Sequence, residues 1–500
     1  MIKRLLIANR GEIALRIVRA CRELGIESVA VYSEADARAA HVAAADRAVA
    51  IGPAPAVDSY LSIPRLIDAA HAAGADAVHP GYGFLSENAT FARACEAAGV
   101  VFVGPPAHVI AQMGSKIAAR ALMQAAGVPV VPGETPDDQS DDGLRQTIER
   151  VGLPVLVKAS AGGGGKGMRR VREQAEIADA TQAARREAVA AFGDGTLYVE
   201  RLVDQPRHIE VQVFGDHHGR IDHLFERECS VQRRHQKIIE ESPSPALSPA
   251  VRARIAAAAV TSAAAAGYRN AGTIEFLLDG TGDAAQFYFL EMNTRLQVEH
   301  PVTEAVAGVD LVRAQLLVAS GEPLPWTAGS PTQRGHAIEA RVYAEDPSSG
   351  FLPQAGRLLL YREPRRPGVR VDAGVVEGGD VSVYYDPMVA KVIASAETRD
   401  AAIARLSAAL REFPILGIRT NIPFLLRILE HPRFRAGAVD TGFLDGEGAM
   451  LGDAPDDGPS EVVRAALAAH RDGAESRILN PDSHPRAAVD PWSTLQAWGR

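Results

Sequence analysis

LEMNTRLQVEHP, residues 290–301, sets Glu291, Asn293, Arg295, Gln297 and Glu299 at every second position, with Met292, Thr294, Leu296 and Val298 between them. In an extended chain that alternation sends all five polar groups to one face. A solvated strand face would take Lys, Glu and Thr in any order. Here carboxylates bracket an amide, guanidinium, amide series, the inventory for holding metal-bound phosphate beside a small anion. Fully extended at about 3.3 Å per residue, Glu291 and Glu299 would stand roughly 26 Å apart. The chain must therefore bend if both serve one site.

The segments before this stretch supply complementary groups. Glu275 in TIEFLL and Glu291 at the end of QFYFLE put two acids on neighbouring strands, a set suited to Mg²⁺, which prefers hard oxygen ligands and substrate phosphates. In LPVLVKASAGGGGKGM, Lys158 ends an apolar strand and Gly162 to Gly165 lead to Lys166. Such a backbone lets N–H groups approach phosphate oxygens closely. It is not a Walker A loop, because Ser160 and Gly167 fall where that motif needs Gly and Ser/Thr. His470-Arg471-Asp472 is not a kinase catalytic loop either, since Arg477 stands where Asn is required. The cluster Gln232, Arg233, Arg234, His235 and Lys237 reads, taken alone, as a basic surface, and His208 and Glu210 are individually uninformative.

With 500 residues and 47% hydrophobic content, the chain can form three or four packed domains at roughly 100 to 200 residues each. A net charge of −9 provides no general basic field for nucleic acid or an anionic membrane. Cys21, Cys95 and Cys229 are odd in number and far apart, which fits reduced thiols rather than a disulfide framework. No apolar run approaches the roughly 18 residues of a membrane span, and the start lacks a signal-peptide pattern. The expected location is the cytoplasm.

The opening reads as a βαβ unit: a strand at LLIA, a turn at Asn9-Arg10-Gly11, a helix through Ile13, Ile17, Val18 and Leu24, and a strand at SVAVY. That turn lacks the G-x-G-x-x-G of a dinucleotide site. Further strands are expected at DAVHP and VVFVGP, then a small inserted domain with a glycine loop and an Ala-rich helix through Ala191. Strands resume at TLYVERLV, HIEVQVFGD and RIDHLFE, and again at TIEFLL and QFYFLEMN. TAGSPTQR reads as a linker, and GEGAMLGDAPDDGPSE after Asp445 as a poorly packed tail.

In family order, IANRGEIALRI, HPGYGFLSEN, MGSK, VKASAGGGGKGM, ECSVQRRHQK, GTIEFL, EMNTRLQVEHPVTE, IEARVYAED and YYDPM resemble the biotin carboxylases of the ATP-grasp superfamily over roughly residues 1 to 445. The resemblance implies a multidomain α/β and α+β chain. It would comprise a Rossmann-like N-terminal domain (1–115) and an ATP-grasp body (116–332) with a mobile lid (about 131–203). A C-terminal biotin carboxylase domain (333–445) and a tail (446–500) would follow.

By motif position the resemblance assigns Lys116, Lys158, Gly163, Gly164, Gly165 and Lys166 to the ATP phosphates. It gives Glu200 and Leu202 to the adenine pocket, and His208, Gln232, His235 and Leu277 to the rest of the nucleotide. Glu275, Glu291 and Asn293 would hold Mg²⁺ or Mn²⁺. Lys237, Arg295, Gln297 and the Val298 backbone would bind bicarbonate, Glu299 would be the base and Arg341 would stabilise the biotin enolate. Arg201 and Leu202 depart from the Lys and aromatic residue expected there.

No Ala-Met-Lys-Met type biotinylation motif occurs. Biotin is therefore expected on a separate carrier protein or domain, with a carboxyltransferase subunit as a further partner. AVDPWSTLQAWGR faintly resembles the linker that follows this domain in long α chains, and the family's dimer would use Arg19 and Glu23. Two other readings remain open at this stage: another ATP-grasp ligase joining a carboxylate to an amine or thiol, and a nucleotide-binding subunit without turnover. Arg295, Gln297, Glu299 and Arg341 argue against the first, and the retained carboxylates Glu275, Glu291 and Glu299 against the second.

Overall fold

The computed structural model describes residues 1–160, 167–327, 329 and 331–452, with Arg464, Ala465 and Ala468. Gly163, Gly164, Gly165 and Lys166, expected at the ATP phosphates, lie outside the described residues.

The βαβ opening forms as its pattern dictates. Strand β1 (Arg4–Ile7) ends before a turn in which Gly11 takes φ +67°, a left-handed conformation that costs glycine little. Helix α1 (Gly11–Leu24) buries Ile13, Ile17 and Val18 and stops at Gly25, whose N–H caps the last turn. Strands β2 (Glu27–Ser33), β3 (Arg47–Gly52), β4 (Ala77–His79) and β5 (Val101–Phe102) complete a parallel sheet in the order β3-β2-β1-β4-β5.

A small antiparallel sheet follows: β6 (Gly133–Glu134), β7 (Val155–Ala159), β8 (Arg169–Val171) and β9 (Leu197–Arg201), in the order β6-β9-β7-β8. Helices Asp141–Val151 and Ile177–Phe192 cover it through a core of its own that includes Leu144, Ile148, Val155, Val157 and Leu197. A separate core is the physical requirement for a segment to act as a lid on the body.

The body is one long sheet. It contains β10 (Arg207–Gly215), β11 (Ile221–Arg233), β12 (Gln236–Ser242), β13 (Asn270–Asp279), β14 (Gln286–Asn293), β15 (His336–Tyr343), β16 (Val369–Ala373) and β17 (Met388–Ala396). Their order is β14-β13-β10-β11-β12-β15-β17-β16. The expected boundary near 332 falls between β14 and β15, yet β15 pairs antiparallel with β12 and continues the same sheet. The expected boundary at 445 falls inside helix Phe443–Gly452, whose Leu451 is buried. The last strand of the 290–301 stretch also differs from the extended reading: β14 stops at Asn293, and Glu299 is the N-cap of helix His300–Ala307.

Cys21, Cys95 and Cys229 are free and buried. Among the described residues no helix is long and apolar enough to cross a membrane.

Helix α1 and the loops of the N-terminal domain meet segments beside the end of the long sheet at close range. Tyr385 donates to the Ala54 carbonyl at 2.6 Å, and Arg16 on α1 pairs with Glu304 and Asp310 at 2.9 and 2.6 Å. A Cβ on Gly374 would lie 2.6 Å from the Glu12 backbone N and 2.8 Å from the Gly11 carbonyl carbon. Neither partner is a side chain that can swing aside. Gly374→Ala is therefore expected to destabilise the protein by about 1–3 kcal/mol, read as a lower urea midpoint. Gly446→Ala, inside a helix and with nothing within 4 Å of its Cβ position, is the control and should not lower the midpoint.

Candidate active site

Register builds the site before any side chain is considered. Glu291 on β14 lies opposite Glu275 on β13, Glu275 opposite Glu210 on β10, and Glu210 opposite Arg227 on β11. Three carboxylates thus stand in a row across adjacent strands, an arrangement that is repulsive unless compensated. Two buried cations compensate it. Lys237 Nζ donates to Glu210 at 2.5 Å, Glu275 at 2.9 Å and Glu299 at 2.6 Å. Arg227, 0% exposed, donates to Glu210 at 2.5 Å, Gln212 at 2.8 Å, Thr303 at 2.9 Å and Thr273 at 3.0 Å.

These contacts fix the charge states. Burial works against the Lys237 ammonium, but Glu210, Glu275 and Glu299 hold its pKa well above the usual value. Burial would raise Glu299, yet Lys237, Arg341 and Arg227 outweigh it and keep this carboxyl well below the usual range. Glu275 is held low in the same way, against burial, by Lys237 and His208. Glu291 goes the other way, raised by burial and then by the neighbouring Glu275 charge. A buried carboxylate beside a half-buried one, the second resisting ionisation, makes an all-oxygen donor set that a divalent cation fits. Asn293 joins them, donating to Glu275 at 2.8 Å.

The loop after β14 carries the anion-binding candidates. Arg295 donates to Gln297 Oε1 at 2.9 Å and to Asn293 at 3.3 Å, so a continuous polar chain runs from Lys237 through Glu275 and Asn293 to Arg295 and Gln297. The Gln297 Nε2 is buried with no hydrogen-bond partner, a donor left for a ligand to satisfy. Glu87, from the N-terminal domain, accepts from Thr294 N at 3.1 Å and Arg295 Nε at 2.9 Å. The Val298 carbonyl accepts from Lys391 at 2.7 Å. Arg341 donates to Glu299 at 2.9 Å and to Glu240 at 2.6 Å. One guanidinium serves two carboxylates, and Glu240 is the weaker anion: burial pushes it up to about 7 against the pull of Arg341, with Glu299 adding to the rise.

A cleft of about 440 Å³ lies beside this network between the small sheet and the body. Lys116, Lys158, Glu200 and Leu202 line it, as do His208, Gln232, His235 and Leu277, and Glu275 and Glu291 form part of the same wall. Every described nucleotide candidate is therefore brought to one cavity. Lys158, nearly buried, pairs with Glu200 at 2.5 Å, and Arg120 shares that carboxylate at 2.7 Å. His208 sits 3.1 Å from Glu275. The basic cluster is not a flat surface but the hairpin β11–β12, with Gln232 opposite Lys237 and a two-residue turn at Arg234 and His235. Both turn residues have positive φ, 49° and 68°, the hand that a tight hairpin requires.

Sequence reasoning missed Glu87, Arg120, Arg227, Glu240 and Lys391, and gave no weight to Glu210. The available signal was a charge set inside an apolar strand, as in HIEVQV and KIIEES, because such a group needs a partner once buried. Arg201, singled out as a departure, bonds the Tyr288 hydroxyl at 2.9 Å at the edge of the cleft. Arg19 is half exposed, 3.4 Å from Asp372, and with Glu23 lines a surface hollow of about 590 Å³.

Lys237→Met would leave three buried carboxylates without their shared cation, at an expected cost of about 3–5 kcal/mol. The pH dependence is the sharper readout. In the native protein Glu275 and Glu299 have lowered pKa values, so their contribution is present above the unfolded carboxylate range and lost only in stronger acid. In the variant those carboxyls rise, and protonating them favours the folded state. The stability deficit, measured by urea unfolding, should be larger at pH 8 than at pH 5.

Comparisons with known proteins give a concordant picture. Three family models match in sequence: the biotin carboxylase N-terminal domain over residues 1–110, the carbamoyl-phosphate synthase L chain ATP binding domain over 115–327, and the biotin carboxylase C-terminal domain over 339–446. A biotin carboxylase of Halalkalibacterium halodurans is 52% identical over 444 residues, 89% of this chain and 97% of that protein. The mitochondrial methylcrotonoyl-CoA carboxylase subunit alpha of Rattus norvegicus is 51% identical over 444 residues, and the match spans 62% of its length. A crystal structure of biotin carboxylase from Campylobacter jejuni superposes with TM-score 0.86 at 45% identity, covering 89% of this chain and 99% of that one. The biotin carboxylase domain dimer of Hydrogenobacter thermophilus 2-oxoglutarate carboxylase, solved with MgADP, ADP and bicarbonate, gives TM-score 0.85 at 43% identity, covering 90% and 99%. With identity at this level over nearly the whole of a bacterial relative, the chain belongs to the biotin carboxylase family.

Proposed function

We propose that this chain carboxylates biotin on a carrier protein with ATP and bicarbonate, the first half-reaction of an acyl-CoA carboxylase. The observation that carries the reading is the placing of Glu299 between Lys237 and Arg341, at 2.6 and 2.9 Å, on the loop that also bears Arg295 and Gln297.

Bicarbonate entering beside Arg295, Gln297 and the Val298 N–H would share the Lys237 ammonium. Glu299 would then lose part of the field that keeps its pKa low, and its basicity would rise where a proton must be taken. A bicarbonate oxygen attacks the γ-phosphorus of ATP as the bond to the β–γ bridging oxygen breaks. Glu299 accepts the bicarbonate proton, ADP departs and carboxyphosphate forms. Lys116 and Lys158, lining the cleft, offset charge on the phosphoryl oxygens. Glu275, Glu291 and Asn293 would hold Mg²⁺ or Mn²⁺, which when bound neutralises part of the phosphate charge.

Carboxyphosphate then releases CO₂, and the phosphate so formed takes the N1 proton of biotin. Arg341 stabilises the negative ureido oxygen while N1 attacks CO₂. The resemblance would add Gly163, Gly164, Gly165 and Lys166 to the groups that contact the phosphates. Biotin would arrive on a carrier protein or domain and pass its carboxyl group to a carboxyltransferase. A homodimer through the α1 face that carries Arg19 and Glu23 fits this reading. Acting on such partners would place the chain in the cytoplasm or an equivalent aqueous compartment.

ATP cleavage by the purified chain with Mg²⁺ and bicarbonate, with and without free biotin, tests the reading. Biotin-stimulated, bicarbonate-dependent turnover is expected, with kcat reduced by about 10²-fold or more in Glu299→Gln. Turnover indifferent to both biotin and bicarbonate would refute it.

A further inference from the structure

Val298 lies between two peptide planes, and each is tied down from behind by a fully buried side chain. The Gln297 carbonyl accepts from His300 Nδ1 at 2.8 Å and the Val298 carbonyl from Lys391 Nζ at 2.7 Å. His300 and Lys391 are each 0% exposed. A carbonyl oxygen can only accept, so His300 Nδ1 carries a proton. Burial, with Lys391, Arg16 and Arg370 nearby, keeps the imidazole neutral. Its single proton therefore sits on Nδ1, and Nε2 is bare, buried and without a hydrogen-bond partner. Lys391 in turn has Glu12 at 3.2 Å and Asp372 at 4.0 Å to hold its charge.

In a trans peptide the N–H points opposite to the carbonyl of the same plane. Fixing the Gln297 carbonyl thus fixes the Val298 N–H, and fixing the Val298 carbonyl fixes the Glu299 N–H. We infer that His300 and Lys391 are positioning residues that aim the Val298 N–H at the anion held by Arg295 and Gln297 and set the backbone from which Glu299 projects. This rests on the proposed role of the Val298 backbone in bicarbonate binding. Neither residue touches substrate, and both act through backbone carbonyls, so their effect belongs to bicarbonate rather than to ATP.

The test is steady-state ATP cleavage by the full chain, with separate KM values for bicarbonate and ATP. His300→Leu and Lys391→Met should each raise the bicarbonate KM about tenfold, the equivalent of one lost hydrogen bond, with the ATP KM within about twofold. His300→Asn, whose amide nitrogen can occupy the Nδ1 position, should restore the bicarbonate KM, and His300→Gln, which reaches the Nε2 position, should not. Equal behaviour of the Asn and Gln variants, or parallel rises in both KM values, would mean a merely structural role and would overturn the inference. Arg295→Ala and Gln297→Ala separate the two levels. If they raise the bicarbonate KM while His300→Leu and Lys391→Met do not, positioning fails alone. If they too leave it unchanged, the bicarbonate reading of the loop fails and takes the inference with it.

Discussion

One ammonium group shared among three carboxylates is the contact on which the catalytic half of this molecule depends. Lys237 lies within 2.9 Å of Glu210, Glu275 and Glu299, which come from two strands and from the N-cap of a helix. Removing charges from water is costly, and a buried ion pair seldom repays the cost in stability. Under the proposed function the arrangement makes sense as preorganisation instead: the positions that would meet phosphate, metal and bicarbonate are already charged and already held. Each ligand then exchanges one partner for another rather than creating a charge in an apolar interior.

The rest of the site is arranged so that this exchange can happen without the framework moving. Arg227 supports Glu210 through Nε, while its two terminal nitrogens donate to Gln212, Thr303 and Thr273, and Thr303 ties in the helix that Glu299 caps. Glu87 reaches the loop from the N-terminal domain and Arg341 from β15. With Lys237 on β12 and Lys391 on β17, the six-residue loop from Thr294 to Glu299 is held by four separate parts of the chain, and its irregular backbone needs this because it belongs to neither strand nor helix.

Much of the site was legible in the sequence because chemistry constrains residue type more tightly than geometry. The five alternating polar residues of the 290–301 stretch do converge, and the bend that their spacing demanded is present. Alternation itself misled, since only Glu291 and Asn293 lie on the strand; the others are gathered by a loop and a helix cap that period-two reasoning cannot see. The basic cluster at 232–237 was ambiguous because a hairpin turn made of Arg and His carries none of the usual Asn-Gly signal. Glu87, Arg227 and Lys391 were invisible for a different reason. Each matters through a partner dozens to hundreds of residues away, and register across a sheet is a tertiary fact.

The long sheet has a bearing on how such chains can be rearranged. Because β15 hydrogen-bonds to β12, and β17 and β16 continue from it, the segment after residue 335 is not a module attached by a tether. Cutting there would bare the backbone edges of β12 and β15 together with the apolar side chains packed around them, and bared edges are prone to wrong pairing. Exchange of parts between relatives should succeed at the borders of the small four-stranded sheet, which has its own core, and fail within the long one. For this site the sheet is one mechanical piece, whatever segments of sequence it is drawn from.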